Sequence, residues 1–108
     1  MGEIGFGGLG GTITGHQDKV TEIGGSIPDG MKFKTERDAL MSAKNAMSSA
    51  KQGGLKPDQR NQHLATAAGH LSRASEGLRA KGENKTAANL DRMVNEIRGT
   101  REQIRSGK

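Results

Sequence analysis

Cysteine, tryptophan and tyrosine are absent from the 108 residues, and phenylalanine and proline occur twice each. Without cysteine there is no disulfide framework, no thiolate nucleophile and no thiolate metal site. With neither Trp nor Tyr, the stacking platforms that hold single-stranded nucleic acid and RNA bases are excluded in practice. Large apolar side chains are also few. Leu, Ile, Val and Phe together supply seventeen residues, below the roughly 20% under which disorder competes with folding. The net charge of +5 is too modest for repulsion alone to hold the chain open. The expectation is one domain with a small, Ala-lined core, completed by a partner or by self-association. No apolar run approaches the ~18 residues of a membrane span. The first residues lack the basic and apolar regions of a secretory signal. Met1-Gly2 opens like a myristoylation site, but Phe6 stands where Ser or Thr is required. A soluble, cytoplasmic protein is the default expectation.

What the chain does contain is a seven-residue repeat. His63-Leu64, His70-Leu71 and Gly77-Leu78 recur at that spacing, with Ala67, Ala68 and Ala74 between the leucines. Leu64, Leu71 and Leu78 then share one helix face, an apolar seam that other helices must cover. The segments around it are suited to do so. Residues 35–51 place Ala39, Leu40, Ala43, Ala46, Met47 and Ala50 at 3–4 spacing, with Thr35 as the expected cap and Gly53-Gly54 as the stop. The central helix runs over 57–81, opened by Pro57 and ended by Gly82. Gly69 and Gly77 inside it point either to close approach of another backbone or to weakly selected positions. A third helix, 85–105, carries Ala87, Leu90, Val94, Ile97 and Ile104, interrupted by Arg101. The fold class read from this is mainly α: a small three-helix bundle over residues 35–108.

Residues 1–34 read differently. Ten of the seventeen glycines fall in the first thirty positions, and glycine loses the most freedom on folding. A flexible arm is expected, with isolated Ile4, Phe6 and Leu9 able to lie in a neighbour's groove. Val20–Ile23 and Met31–Lys34 flank the turn Ile27-Pro28-Asp29-Gly30 and are candidate strands of a short β-hairpin. The arm carries Lys19, Lys32 and Lys34 against Glu3, Asp18, Glu22 and Asp29, so all the net basicity belongs to the helical part.

Candidate chemistry is sparse. Gly5-Phe6-Gly7-Gly8-Leu9-Gly10 matches the dinucleotide-binding GxGxxG pattern. It lacks the buried strand before it and the helix start after it that would bring phosphate to backbone amides. His63 and His70 stand about 10.5 Å apart along a helix axis, too far to share a metal. Arg60, His63, His70 and Arg73 fall on one face. They are the candidate set for a metal-free, toxin-like ribonuclease, with His16 or Glu76 as partner base. No catalytic, cofactor or metal residue is assigned, since no site is assembled by the spacing alone.

The leading expectation is a non-enzymatic protein-interaction or structural module, acting by self-association or on a protein partner. Its composition is of the kind found in small phage, mobile-element or secretion-associated proteins. Leu64, Leu71, Leu78, Arg98, Arg101 and Arg105 are the expected partner-binding residues. The last three share a helix face able to hold a phosphate or an acidic partner. The alternative is a sequence-independent, electrostatic nucleic-acid binder using Lys44, Lys51, Arg98, Arg101 and Arg105. The ribonuclease stands third.

Overall fold

The computed structural model describes residues 4–106, with packing and exposure from residue 8 onward. It contains four α-helices: α1 (Ile4–Gly24), α2 (Lys34–Ala50), α3 (Pro57–Ala80) and α4 (Asn84–Arg105). A single 3-10 turn, Met31–Phe33, leads into α2. Each helix turns a 3–4 spaced seam inward. Leu40, Ala43, Met47 and Ala50 come from α2; Leu64, Ala67, Leu71, Ala74 and Leu78 from α3; Leu90, Met93, Ile97, Thr100 and Ile104 from α4. From α1 come Ile13, His16 and Val20, with Ile23 packed against the edge of the core.

Short connections join the helices, residues 25–30, 51–56 and 81–83, and short connections make antiparallel neighbours. The cross-helix pairs bear this out. Lys44 of α2 and Lys51 just past its end reach Thr21 and Thr14 of α1. Asn61 and Ser75 of α3 bond near Arg101 and Asp91 of α4. The result is an up-down-up-down bundle of 45 × 20 × 17 Å, in which α1 packs on α2 and α4, and α3 packs on the same two helices.

Three findings depart from the expectations. First, the flexible-arm reading does not hold for residues 4–24, which are helical despite seven glycines. Each glycine costs roughly 1 kcal/mol relative to Ala in a helix, so α1 depends on the apolar seam it docks. The cover sought from a partner is thereby supplied, at least in part, by the chain's own first helix. Second, no hairpin forms. Val20–Ile23 lie in α1, Met31–Phe33 in the 3-10 turn, and there is no strand among the described residues. Third, α2 begins at Lys34 directly from the 3-10 turn, so Thr35 is not its cap. Met1-Gly2, the side chains of Ile4 and Phe6, and Lys108 lie outside the described residues.

The other helix ends follow their local chemistry. Pro57 opens α3, and the Gln59 side chain accepts the Lys56 N–H at 3.0 Å. At its far end Gly82 takes φ 89°, Gly82 N–H bonds to Arg79 and Glu83 N–H to Leu78, the Schellman pattern that needs a left-handed residue. The two interior glycines of α3 have different surroundings. A Cβ at Gly69 would meet open space, so Gly69→Ala should gain roughly 0.5–1 kcal/mol from helix propensity and reduced unfolded-state freedom. A raised midpoint in urea unfolding is the expected observation; a lowered one would show that the Gly69 backbone is needed for packing.

Candidate interaction groove between α3 and α4

The seams that build the core also set what flanks it. In antiparallel α3 and α4, the residues next to seam positions face each other across the crossing. Asn61 follows Arg60 of the α3 seam, and Arg101 follows Thr100 of the α4 seam. Arg101 Nε donates to Asn61 Oδ1 at 2.6 Å, and Asn61 Nδ2 returns a bond to the Arg101 carbonyl at 3.2 Å. This reciprocal pair locks the guanidinium in place. Its two η nitrogens make no hydrogen bond to another group among the described residues. Arg101 lines a groove of about 430 Å³ together with Pro57, Asp58, Asn61, Gln62, Ala65, Ile104 and Arg105. Arg105 is exposed and 3.6 Å from Glu102. Ala65 and Ile104 supply apolar surface, and the arginines supply donors that remain charged.

Leu64, Leu71 and Leu78 have no exposed surface. They are core residues of this bundle, covered by its own helices. Arg98 is exposed on α4 and does not line the groove, whereas Arg101 and Arg105 do. Lys44 and Lys51 lie elsewhere, donating to Thr21 and Thr14 across the α1–α2 crossing. Of the five cations of the nucleic-acid reading, Lys44 and Lys51 thus lie at the α1–α2 crossing, Arg101 and Arg105 at the α3–α4 groove, and Arg98 at neither. The ribonuclease set does not assemble either. Arg60 is 6% exposed and turns inward, giving Nε to the Ala50 carbonyl and Nη2 to that of Gln52. It serves the carbonyl end of α2, where a cation is favoured. His63 and His70 remain half-buried, and His70 Nδ1 lies 3.4 Å from Arg73 Nη1.

Asn61, Gln62 and Ala65 escape a reading of α4 alone. The available signal is positional: they sit beside the α3 seam, on the side that α4 must meet once the two helices are antiparallel. His16 also escapes a search for apolar residues. It lies at a 3–4 position between Ile13 and Val20 and is buried. Its Nε2 is 2.9 Å from Thr100 Oγ1, and its Nδ1 is 3.9 Å from Glu96 Oε1. Burial lowers its pKa; Glu96 opposes that shift and Lys19 adds to it.

Two polar ties secure the rest of the scaffold. Ser75 donates to the Asp91 carboxylate at 2.6 Å, and Arg79 does so at the same distance. The Ser75 and Arg79 hydrogen bonds hold Asp91 below the usual carboxylate range. Glu36, 4% exposed, receives Lys81 Nζ at 2.9 and 3.0 Å on its two oxygens. No group of three or more potential metal-ligating residues occurs among the described residues. No helix there is long and apolar enough to cross a membrane.

No family model, curated protein or solved structure matches the chain.

Proposed function

We propose that the protein is a non-enzymatic interaction module that takes an acidic segment of a protein partner in the α3–α4 groove. The observation that carries this is the Arg101 guanidinium, locked by Asn61 with its η nitrogens uncommitted, at a groove where Ala65 and Ile104 supply apolar surface and Asp58 is the one carboxylate. A held guanidinium loses little freedom when it meets a carboxylate, and charge-assisted bonds of this kind are the stronger class. Arg105 adds a second cation within the same groove. Arg60 is withdrawn from the His63, His70 and Arg73 set by its bonds to the Ala50 and Gln52 carbonyls, which supports the non-enzymatic reading.

The test is fluorescence anisotropy of a labelled Asp/Glu-rich peptide, alongside labelled single- and double-stranded DNA and RNA, at low and physiological salt. The peptide should bind, and replacing Arg101 and Arg105 by Ala should weaken it about tenfold or more, as expected for lost hydrogen bonds to charged groups. Preferred binding of nucleic acid with a steep salt dependence would replace this reading by the electrostatic nucleic-acid binder. No binding of the peptide at low salt would remove the groove as an acidic-segment site.

A further inference from the structure

We propose that α1 is an acid-releasable helix, with the buried His16 at its α4 interface as the trigger that frees it from the groove between α2 and α4. Three observations converge. The first is the weakness of α1 as a helix. Glycines occupy seven of its twenty-one positions, and its buried seam is short, Ile13, His16 and Val20, with Leu9 and Ile23 only partly buried beside it. Helices with few buried contacts and poor propensity open before the rest of a fold.

The second observation is the hydrogen-bond state of His16. Thr100 Oγ1 lies 3.3 Å from the Glu96 carbonyl, to which it donates. His16 Nε2 lies 2.9 Å from the same hydroxyl, so the ring and the Glu96 carbonyl share one hydroxyl with a single proton. In either neutral tautomer, one further proton turns this buried ring into a cation.

The third observation is what Nδ1 faces. Its nearest charged group is Glu96 of α4 at 3.9 Å, beyond hydrogen-bond reach, and that carboxylate already has Lys19 of α1 at 3.4 Å. From α2 and the residue that caps its end, the ammonium groups turned toward α1 are Lys44 and Lys51, which donate to Thr21 and Thr14. The two carboxylates of α2 are engaged elsewhere, Glu36 with Lys81 and Asp38 with Lys34. A protonated His16 would be a buried second cation on a carboxylate that Lys19 shares. Docked α1 therefore favours the neutral ring, in agreement with its lowered pKa. The sign follows: docking is strongest above the ordinary histidine value of about 6.5 and weakens as pH falls below it, until the docked ring itself takes a proton. Released α1 would uncover the apolar faces of α2 and α4 that it now fills.

Hydrogen exchange on the full chain, corrected for intrinsic rates, tests this at pH 7.5 and 5.0, where carboxylates stay largely ionised. Protection over residues 13–23 should fall about fivefold or more, under a ceiling of roughly thirtyfold set by the free histidine value, with α3 nearly unchanged. His16→Gln should abolish the differential fall. Lys19→Gln, at an exposed site, should make it smaller, because one cation fewer competes with the imidazolium. An equal fall in all four helices, no fall in α1, an unchanged response in His16→Gln, or an undiminished one in Lys19→Gln would overturn the proposal.

Discussion

Gly77→Ala should destabilise the bundle by about 2–4 kcal/mol, although the same change gains about 1 kcal/mol of helix propensity. The reason lies across the α2–α3 crossing. A Cβ at Gly77 would overlap the Glu36 carboxylate and crowd its Cγ. Glu36 cannot simply swing aside. It is 4% exposed, both oxygens are held by Lys81, and Lys81 also donates to the Lys32 carbonyl and stands over the Phe33 ring. Moving the carboxylate breaks a mostly buried ion pair, which is far more costly than omitting one. Urea unfolding followed by circular dichroism reads the effect. A midpoint equal to wild type would mean that Glu36 can leave its site freely and that the Lys81 tie contributes little. The close approach suggested by glycine at this position is real, but what approaches is a side chain and not another backbone.

Leu71→Ala is expected to cost about 2–5 kcal/mol, through lost burial and the cavity left behind. That is a large part of the roughly 5–15 kcal/mol that holds a typical domain. Leu71 has no exposed surface and sits at the middle of the α3 seam, where its neighbours on that helix face, Ala67 and Ala74, are too small to move in. The unfolding midpoint should fall sharply, and the wild-type midpoint should not change with protein concentration, since the cover for Leu71 comes from its own chain. A Leu71→Ala protein as stable as wild type, or a wild-type midpoint that rises with concentration, would show that another molecule covers this seam.

How much of this was readable in one dimension varies by element. The 57–81 helix was fully legible, because Pro57, the Leu64-Leu71-Leu78 spacing and Gly82 are all local signals that agree. The 35–51 and 85–105 helices were legible to within a residue or so at their ends. In α4, Arg101 looked like an interruption of the seam; Thr100 fills the inward position instead, and Arg101 falls beside it. At α1 two local signals conflict. The glycines argue for a mobile arm, while Phe6, Leu9, Ile13, His16, Val20, Ile23 and Ile27 keep 3–4 spacing. Propensity is a weak prior that tertiary context overrides, and docking between α2 and α4 decides for the helix.

By itself, then, the sequence determined the faces: which side of each of the last three helices is apolar, where those helices stop, and that no thiol chemistry is available. These follow from periodicity and from residues whose backbone limits are intrinsic, such as Pro57 and Gly82. Only the tertiary structure decided which faces meet. It placed Leu64, Leu71 and Leu78 in a core closed by α1, turned Arg60 inward to the end of α2, brought Asn61 to Arg101 across two helices, and set His16 against Thr100 from opposite ends of the chain. Such pairings depend on the relative direction and order of the helices, and no window along one helix carries that information.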